Sequence, residues 1–339
     1  MSSNVTLKQI ADSLGVSPMT VSRVINKRDN VNQKTRERVL EQARSMGYTP
    51  NHIAKSLVSR KTETIGVVIP EISHAFFPEV VRGIEEVTYQ SNYQLILTNA
   101  AEEFEREKKA VNTLRSKRVD GILISSSQNV EDFSFYKQII NSGLPLVFFD
   151  RCVEGVGASC ISVDDRISSR RITRHLIDHG YTKIAYLSGP PAVTIGKERL
   201  NGFREALREA QLPDQLDWIV ESGYNERGGY QAMKKLLDLP KDRWPRAVAA
   251  VNDPVAIGAM EAIYEKGLTI PGDIAITGFT DDIRANLLAC PLTTVHQPAY
   301  HVGKKAAEKL VKIIENKEEP IGNIEVTTTL KIRSSCGCA

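Results

Sequence analysis

Long apolar stretches are missing from this sequence, and no run approaches the roughly 18 residues that a bilayer-spanning helix requires. The first ten residues also lack a basic segment followed by an apolar core, so no secretory signal is predicted. Cysteine is scarce, odd in number and scattered, which is typical of a reducing compartment; the five are Cys152, Cys160, Cys290, Cys336 and Cys338. We therefore expect a cytoplasmic protein that does not associate with membranes.

Signatures of catalysis and of cofactor binding are absent as well. The sequence contains no G-x-S-x-G, H-E-x-x-H, P-loop or G-x-G-x-x-G motif, and its six histidines show no ligand spacing. Cys336 and Cys338 offer two soft ligands, but a tetrahedral metal site needs four and no second cysteine pair exists. We predict no enzyme activity, no cofactor and no metal site.

The charge is distributed unevenly along the chain. Residues 1–61 hold 11 Lys and Arg against 4 Asp and Glu, a balance of +7, whereas the remaining residues hold 33 against 37, a balance of −4. A basic head on an acidic body indicates a polyanionic partner for the head, because phosphate neutralisation releases counterions and supplies affinity. The alternative is a basic face that is merely solvated.

The first 49 residues carry the pattern of three short helices. Thr6 is a suitable N-cap for a helix whose apolar face comprises Leu7, Ile10, Ala11 and Leu14. Gly15 ends that helix, and Ser17 with Pro18 begins a second one. A third helix over 34–46 is expected to bury Val39, Leu40 and Ala43. Two helices joined by a glycine turn predict a helix-turn-helix headpiece, whose second helix reads the DNA major groove.

Two segments within residues 5–61, VTLKQIADSLGVSPMTVSRVIN and VNQKTRERVLEQARSMGYTPNHIAKSLVS, resemble the lactose/galactose repressor (LacI/GalR) family. The resemblance implies contacts to the DNA backbone or groove edge from Thr6, Ser17, Thr20, Ser22, Asn26, Asn30, Val31, Thr35, Tyr48 and Asn51. It implies base contacts from Pro18, Met19 and Arg23, and the Arg23 guanidinium suits a bidentate contact with guanine. For Pro18 and Met19 the alternative is a helix start and a surface side chain.

Residues 50–61 resemble the family's hinge helix, which is too short to be stable alone in water. The resemblance implies that Leu57 wedges into the minor groove at the centre of the operator and kinks the duplex. It also implies phosphate contacts from Lys55. Taken alone, Leu57 would be an ordinary linker leucine. The partner expected for the head and hinge is double-stranded, pseudo-palindromic operator DNA, bound by a homodimer.

From residue 62 to residue 333 the pattern becomes short apolar strands alternating with amphipathic helices. Such alternation predicts parallel, doubly wound sheets that bind ligands at the carboxyl ends of their strands. The resemblance continues here to the family's two-lobed body, which is similar to periplasmic sugar-binding proteins. It implies an α/β fold with an N-lobe over about 62–160 and 293–322, a C-lobe over about 161–292 and 323–333, and a tail over 334–339.

Polar and aromatic residues at predicted strand ends are candidates for binding a small-molecule effector. The resemblance places Phe76, Phe77, Ser125, Ser127, Asp150, Arg199, Tyr224 and Asn252 in the cleft, with Arg151 beside Asp150. Simpler roles are core packing for the phenylalanines and helix capping for Asn252. In this chain Thr280 occupies a position that is acidic in the family, so ligand contact there is weaker or moves to Asp281.

The expected effector is a sugar or sugar acid. Purine-binding relatives carry polar residues in the loop before the cleft arginine, where this chain has Val193 and Ile195. The sequence therefore predicts a transcriptional regulator, most simply a repressor, whose operator affinity responds to the effector. Two alternatives are a solute-binding protein without a regulatory role and an architectural DNA-binding protein without an effector. The headpiece opposes the first, and the set Asp150, Arg199 and Asn252 opposes the second.

Overall fold

The computed structural model describes residues 5–26, 30–48, 61–73, 75–128, 130, 132–316 and 318–338. The chain divides into two compact units, residues 1–62 and residues 63–339. Within the described residues, no helix is long and apolar enough to cross a membrane. The predicted hinge, including Asn51, Lys55 and Leu57, lies outside the described residues apart from its last position, Lys61.

Three helices make up the first unit: α1 (Leu7–Leu14), α2 (Pro18–Ile25) and α3 (Gln33–Ser45). Thr6 caps α1 in a capping box, since its hydroxyl accepts from the Gln9 amide while the Gln9 side chain accepts from the Thr6 amide. Gly15 ends α1 in the left-handed conformation, with φ of 66°, which glycine adopts without steric cost. These local signals confirm the predicted helix-turn-helix.

A small apolar core joins the three helices, formed by Ile10, Ala11, Val21, Val24, Val39 and Ala43. Leu40 was expected to join them, but its side chain is 37% exposed. The reason is geometric: Val39 and Ala43 lie four residues apart on the buried face, and Leu40 is turned to the edge of that face. That prediction was wrong.

The second unit contains two six-stranded sheets, one in each lobe. The N-lobe sheet has the order β11-β5-β4-β3-β1-β2 and is parallel throughout. Its strands are β1 (Thr64–Ile69), β2 (Gln94–Asn99), β3 (Gly121–Ile124), β4 (Leu146–Phe149), β5 (Ser159–Val163) and β11 (Asn323–Val326). The helices that cover it are α4 (Phe76–Gln90), α5 (Phe104–Ser116), α6 (Ser134–Asn141) and α11 (Ala299–Glu315).

The C-lobe sheet has the order β12-β10-β9-β8-β6-β7, and all neighbours are parallel except the edge pair β10 and β12. Its strands are β6 (Ile184–Ser188), β7 (Ile219–Glu221), β8 (Ala247–Ala250), β9 (Ala275–Thr280), β10 (Thr293–His296) and β12 (Thr329–Lys331). Its helices are α7 (Asp165–Asp178), α8 (Thr194–Glu209), α9 (Glu226–Leu237) and α10 (Asp253–Glu265). The doubly wound α/β body is confirmed.

The chain passes between the lobes at three points, which the structure places slightly later than the sequence did. β5 completes its pairing in the N-lobe, so the first crossing comes after Val163 rather than near residue 160. β10 belongs to the C-lobe although the N-lobe was expected from residue 293, and β11 belongs to the N-lobe although the C-lobe was expected from residue 323. Each of these short strands belongs to the lobe whose sheet it pairs with. The sequence pattern does not show which strands pair.

α11 returns to the N-lobe and packs closely against α4. A Cβ added at Gly83 would lie 2.1 Å from the Tyr300 carbonyl oxygen, and one at Gly303 would lie 2.0 Å from that of Val80. Both glycines therefore allow the two helix backbones to approach each other directly.

The cysteines differ from expectation at one point. Cys152 and Cys160 are joined by a disulfide, with their Cα atoms 5.9 Å apart. The segment after β4 turns back and places Cys152 against the β5 strand that carries Cys160. Cys290, Cys336 and Cys338 are free thiols, as expected for all five.

Candidate functional site

The exposed face of α2 is the surface on which the headpiece offers side chains to a partner. Ser17 caps the helix, its hydroxyl accepting from the Thr20 amide at 3.1 Å. Val21 and Val24 are buried, so the opposite face is left to solvent, and Met19 is 63% exposed. That face carries four of the predicted DNA contacts, namely Pro18, Met19, Arg23 and Asn26. The geometry thus matches a helix that reads a groove.

The remaining predicted DNA contacts of the headpiece surround this helix or support it. Thr6 and Ser17 are N-caps at the starts of α1 and α2, where helix N-termini can bind phosphate. Val31 and Tyr48 are half-buried against the headpiece core, so they also have a packing role. Thr20, Ser22 and Thr35 are partly exposed, and Asn30 is exposed with a φ of 77°.

A cavity of about 430 Å³, including its open mouth, lies at the carboxyl ends of the strands of both lobes. Such strand ends are the usual binding edge of doubly wound sheets. The N-lobe and the second crossing contribute Ala75, Phe76, Phe77, Asp150, Arg151 and Gln297, and the C-lobe contributes Ile195, Arg199, Tyr224, Asn252, Pro254, Thr280 and Asp282.

Arg199 is buried on α8, and two of its three guanidinium nitrogens are hydrogen-bonded. Its Nε donates to Asp165 Oδ1 at 2.7 Å, and one Nη donates to the Val251 carbonyl at 2.8 Å. The guanidinium carbon lies 3.7 Å from the centroid of the Phe279 ring. Burial raises the pKa of Asp165 to about 6, although the positive charge of Arg199 opposes the rise. Arg199 is therefore a fixed, charge-balanced wall of the cavity.

Arg151 and Tyr224 meet across the cleft, since Arg151 follows β4 of the N-lobe and Tyr224 precedes α9 of the C-lobe. The Arg151 guanidinium carbon lies 4.5 Å from the centroid of the Tyr224 ring, a cation–π contact. One Arg151 Nη also donates to Glu102 Oε2 at 2.7 Å. Burial raises the pKa of the Tyr224 phenol, so its hydroxyl stays protonated.

Two buried polar atoms at this contact lack hydrogen-bond partners among the described residues: Arg151 Nε and Tyr224 Oη. Buried polar groups are otherwise almost always satisfied, because leaving one unpaired costs about 1–3 kcal/mol. Both residues line the cavity.

Asp150 and Asn252 hold the cavity's other polar groups in position. Asp150 Oδ1 accepts from Gln297 Nε2 at 2.8 Å, which ties the end of β4 to the crossing that follows β10. Asn252 caps α10, its Oδ1 accepting from the Val255 amide at 2.9 Å while its Nδ2 donates to the Tyr224 carbonyl at 2.9 Å. The predicted pocket and capping roles of Asn252 are thus compatible, since one side chain lines the cavity and starts the helix.

Comparison with known proteins agrees with this arrangement. Residues 6–51 match a family model described as bacterial regulatory proteins, lacI family, and residues 173–336 match one described as a periplasmic binding protein-like domain. The HTH-type transcriptional repressor PurR of Vibrio parahaemolyticus serotype O3:K6 is 35% identical over 332 residues, covering 97% of this chain and 98% of that protein. PurR of Haemophilus influenzae strain PittEE is 34% identical with the same coverage. The chain belongs to the LacI family.

Solved structures of LacI-family proteins show the same architecture. The lac repressor dimer bound to operator and the anti-inducer ONPF has a TM-score of 0.87 at 27% identity, covering 98% of this chain and 99% of that one. The complex of the transcriptional regulator CelR with cellobiose has a TM-score of 0.75 at 29% identity, covering 98% and 100%. This LacI-family chain is a DNA-binding transcriptional repressor and not an enzyme.

Seven of the predicted effector residues line the cavity of this LacI-family chain: Phe76, Phe77, Asp150, Arg199, Tyr224, Asn252 and Thr280. Ser125, Ser127 and Asp281 do not. Ser125 and Ser127 are buried after β3, and the Ser127 amide donates to Glu107 Oε2 at 2.7 Å.

A strained turn at the end of β9 explains the position of Asp281. Thr280 and Asp281 have φ values of 132° and 63°, which are rare for residues other than glycine. The turn directs Asp281 to Arg333, at 2.7 Å, and to His296, at 3.0 Å. It brings Asp282 to the cavity instead.

Asp282 and Gln297 are the polar lining residues that sequence reasoning missed. Gln297 follows β10, a strand that the sequence pattern did not reveal, and Asp282 depends on the unusual turn before it. If β10 had been recognised in the sequence, Gln297 would have been a candidate, because the other candidates were chosen for their positions at strand ends.

Proposed function

We propose that this repressor binds a pseudo-palindromic operator as a cytoplasmic homodimer and that a neutral sugar in the cavity changes its operator affinity. The unpartnered Arg151 Nε and Tyr224 Oη carry the proposal, because a hydroxyl group can accept from the first and either accept from or donate to the second. The lac repressor dimer on its operator and CelR with cellobiose supply the analogy.

The charge balance of the cavity favours a neutral ligand over a sugar acid or a sugar phosphate. Arg199 is paired with Asp165 and Arg151 with Glu102, so neither guanidinium brings an uncompensated positive charge. Asp150 adds a carboxylate that can accept from ligand hydroxyls. An anionic ligand would therefore meet carboxylates without a surplus cation.

The position of the ligand suggests how it would act on DNA binding. It would touch residues of both lobes, beside two direct contacts between them: the stacking of Arg151 on Tyr224 and the hydrogen bond from Thr194 Oγ1 to the Cys152 carbonyl at 2.7 Å. A ligand that binds one degree of lobe closure better than another shifts that equilibrium. By thermodynamic linkage, if the ligand changes the affinity for the operator by a given factor, the operator changes the affinity for the ligand by the same factor.

Tyr224→Phe is the variant that tests the site, because it removes only the unpartnered hydroxyl. The full-length protein is screened by thermal shift against neutral sugars, sugar acids and purine bases, and the Kd of each hit is measured by calorimetry. We expect a neutral sugar to bind. Tyr224→Phe should weaken it by about 0.5–1.5 kcal/mol, a roughly 2- to 12-fold rise in Kd, without loss of thermal stability.

The matched control is Tyr186→Phe, a buried tyrosine of the same lobe that does not line the cavity; its sugar Kd should be unchanged. Operator affinity is then measured with and without the hit. A sugar that binds but leaves operator affinity unchanged would favour a solute-binding role over regulation. A hit restricted to purine bases, or a sugar that binds Tyr224→Phe as tightly as the wild type, would refute the proposed ligand and its position.

A further inference from the structure

Four potential metal ligands meet where the end of α7 faces the C-terminal tail, residues 334–338. The Nε2 atom of His175 lies 3.3 Å from the Sγ of Cys336 and 3.3 Å from that of Cys338. The two Sγ atoms are 3.0 Å apart, and the Nε2 of His179 lies 2.8 Å from Cys338 Sγ. The ligand atoms of His175, Cys336 and Cys338 all fall within 4.8 Å of one another.

The protein fixes the position of this tail through hydrogen bonds that do not involve the four ligands' side chains. Ser335 Oγ donates to the Ile276 carbonyl at 2.6 Å and accepts from the Thr293 amide at 2.8 Å. Tyr181 Oη donates to the carbonyl of Cys336 at 3.1 Å. Cys336 is fully buried as a result. The thiols are therefore held against α7, which is the preorganisation that a metal site requires.

The two histidines stand one helical turn apart, the spacing at which paired histidines bind one metal ion from a single helix face. The Nδ1 of His179 lies 2.7 Å from the His175 carbonyl oxygen. An Nδ1–H donated to that carbonyl leaves the Nε2 lone pair directed at Cys338. A backbone carbonyl that fixes the tautomer in this way is a regular partner of metal-binding histidines.

Two thiolates and two imidazoles suit Zn²⁺, which forms tetrahedral sites with Zn–S of about 2.3 Å and Zn–N of about 2.0–2.1 Å. Those bond lengths separate neighbouring ligand atoms by roughly 3.3–3.8 Å. The distances from His175 to the two sulfurs lie at the lower end of this range, and the Cys336–Cys338 and His179–Cys338 pairs would each have to open by roughly 0.7–0.8 Å. Four protein ligands leave no open position, so the site would be structural rather than catalytic.

We propose that this repressor binds one Zn²⁺ through His175, Cys336 and Cys338, with His179 as the fourth ligand, and that the ion fastens the tail to α7. The sequence offers no second cysteine pair, so its spacing of cysteines gives no sign of this site. The missing ligands are histidines 159 to 163 residues away in the chain, which only the fold brings to the tail.

The test uses the full-length protein, reduced, stripped with a chelator and dialysed. Added Co²⁺ should give the visible absorption of a tetrahedral site together with thiolate-to-metal charge transfer, and Zn²⁺ should displace it at one equivalent per chain. Zn²⁺ should also raise the melting temperature, because it binds the folded state. Cys338→Ser and His175→Gln should reduce the bound metal from one equivalent to none, whereas His179→Gln should retain metal more weakly.

The matched control is His301→Gln, which changes an exposed histidine on α11 and should bind one equivalent like the wild type. Three results would overturn the proposal. The first is a stripped wild type that takes up no metal. The second is metal uptake that Cys338→Ser leaves unchanged. The third is a Cys336–Cys338 disulfide in the protein as isolated, shown by one titratable thiol instead of three in the denatured, unreduced protein and by no metal uptake after reduction.

Discussion

At the residue scale, Asp253 is a carboxyl group enclosed entirely by protein at the start of α10. Its Oδ1 accepts from the Thr294 hydroxyl at 2.6 Å and its Oδ2 from the Asp282 amide at 2.7 Å. Burial raises its pKa to about 7, and the nearby carboxylates of Asp282 and Asp281 add to the rise. Asp253 thus keeps its proton in the folded protein at a pH where an exposed aspartate is ionised.

This pKa predicts a pH-dependent stability whose sign can be worked out. The pKa of Asp253 is higher in the folded than in the unfolded protein. The stabilisation that protonated Asp253 gives to the fold is therefore fully present below about pH 4 and is lost as the pH rises through about 7. The side chain of Asp253→Asn cannot ionise, so the variant does not show this loss. From pH 5 to pH 8, the free energy of unfolding of the wild type should therefore fall by on the order of 2–3 kcal/mol relative to that of Asp253→Asn.

Urea unfolding at each pH, followed by the fluorescence of Trp218 and Trp244 in the same lobe, measures this difference. The control is Asp238→Asn, which changes an exposed carboxyl at the end of α9 and should run parallel to the wild type. A difference between wild type and Asp253→Asn that stays constant from pH 5 to 8 would show that Asp253 does not titrate in this range.

Some of the residues that line the cavity could be predicted from the sequence, namely those that directly follow a strand. Asp150 and Asn252 come directly after or near the end of apolar strands, and such positions at the sheet edge face the cleft. Asp281 could not be placed in this way, because a backbone with positive φ over two residues redirects it to Arg333. Nor does the sequence show that Asp165 already holds Arg199, a contact that depends on how α7 and α8 pack.

At the scale of single elements, α2 depends on Ser17 for its first turn. The Ser17 hydroxyl accepts from the Thr20 amide, and Pro18 occupies the first helical position, where no amide hydrogen is needed. Ser17→Ala should destabilise the helix by about 1 kcal/mol, whereas Ser17→Asp keeps an acceptor and should preserve it. Hydrogen exchange of amides in residues 19–26 of the full-length, DNA-free protein reports the change, with the α7 amides as an internal reference.

If Ser17→Ala and Ser17→Asp protected α2 equally, the cap would contribute nothing to its stability. Faster exchange that extended equally to α7 would indicate a global effect instead of a local one.

Long elements with strong periodicity were predictable, and short ones were not. β1 and α11 are recognisable in the sequence because each has a continuous apolar face that its own residues define. β7, β11 and β12 have only three or four residues each, too few for a periodic pattern. They form strands because a neighbouring strand offers hydrogen bonds, and that information lies elsewhere in the chain.

At the scale of the whole molecule, the division of charge governs how the repressor associates with DNA. Each headpiece segment has a balance of +7 and the body a balance of −4. If two headpieces bind a pseudo-palindrome and together neutralise 6–10 phosphates, affinity should fall by about 10³–10⁵ between 50 and 200 mM salt. Fluorescence anisotropy on a duplex selected from a random library measures this slope.

The control duplex keeps one half-site and scrambles the other. A dimer should bind it far more weakly than the full site, with a shallower salt dependence, because only one headpiece is specifically seated. Equal affinities and equal slopes on the two duplexes would contradict the two-fold mode of binding.

The strand order has a consequence for how the protein is made. β11 and β12 are the outermost strands of the two sheets, and both come from the segment 323–331 near the end of the chain. During synthesis the headpiece, with its own core, emerges before the body, and each lobe lacks one edge strand until residues 323–331 have been added. A transcript cut short before residue 323 would therefore yield a chain with a complete DNA reader and two unfinished lobes. Effector sensing by this repressor therefore depends on a segment that is made long after the part that reads DNA.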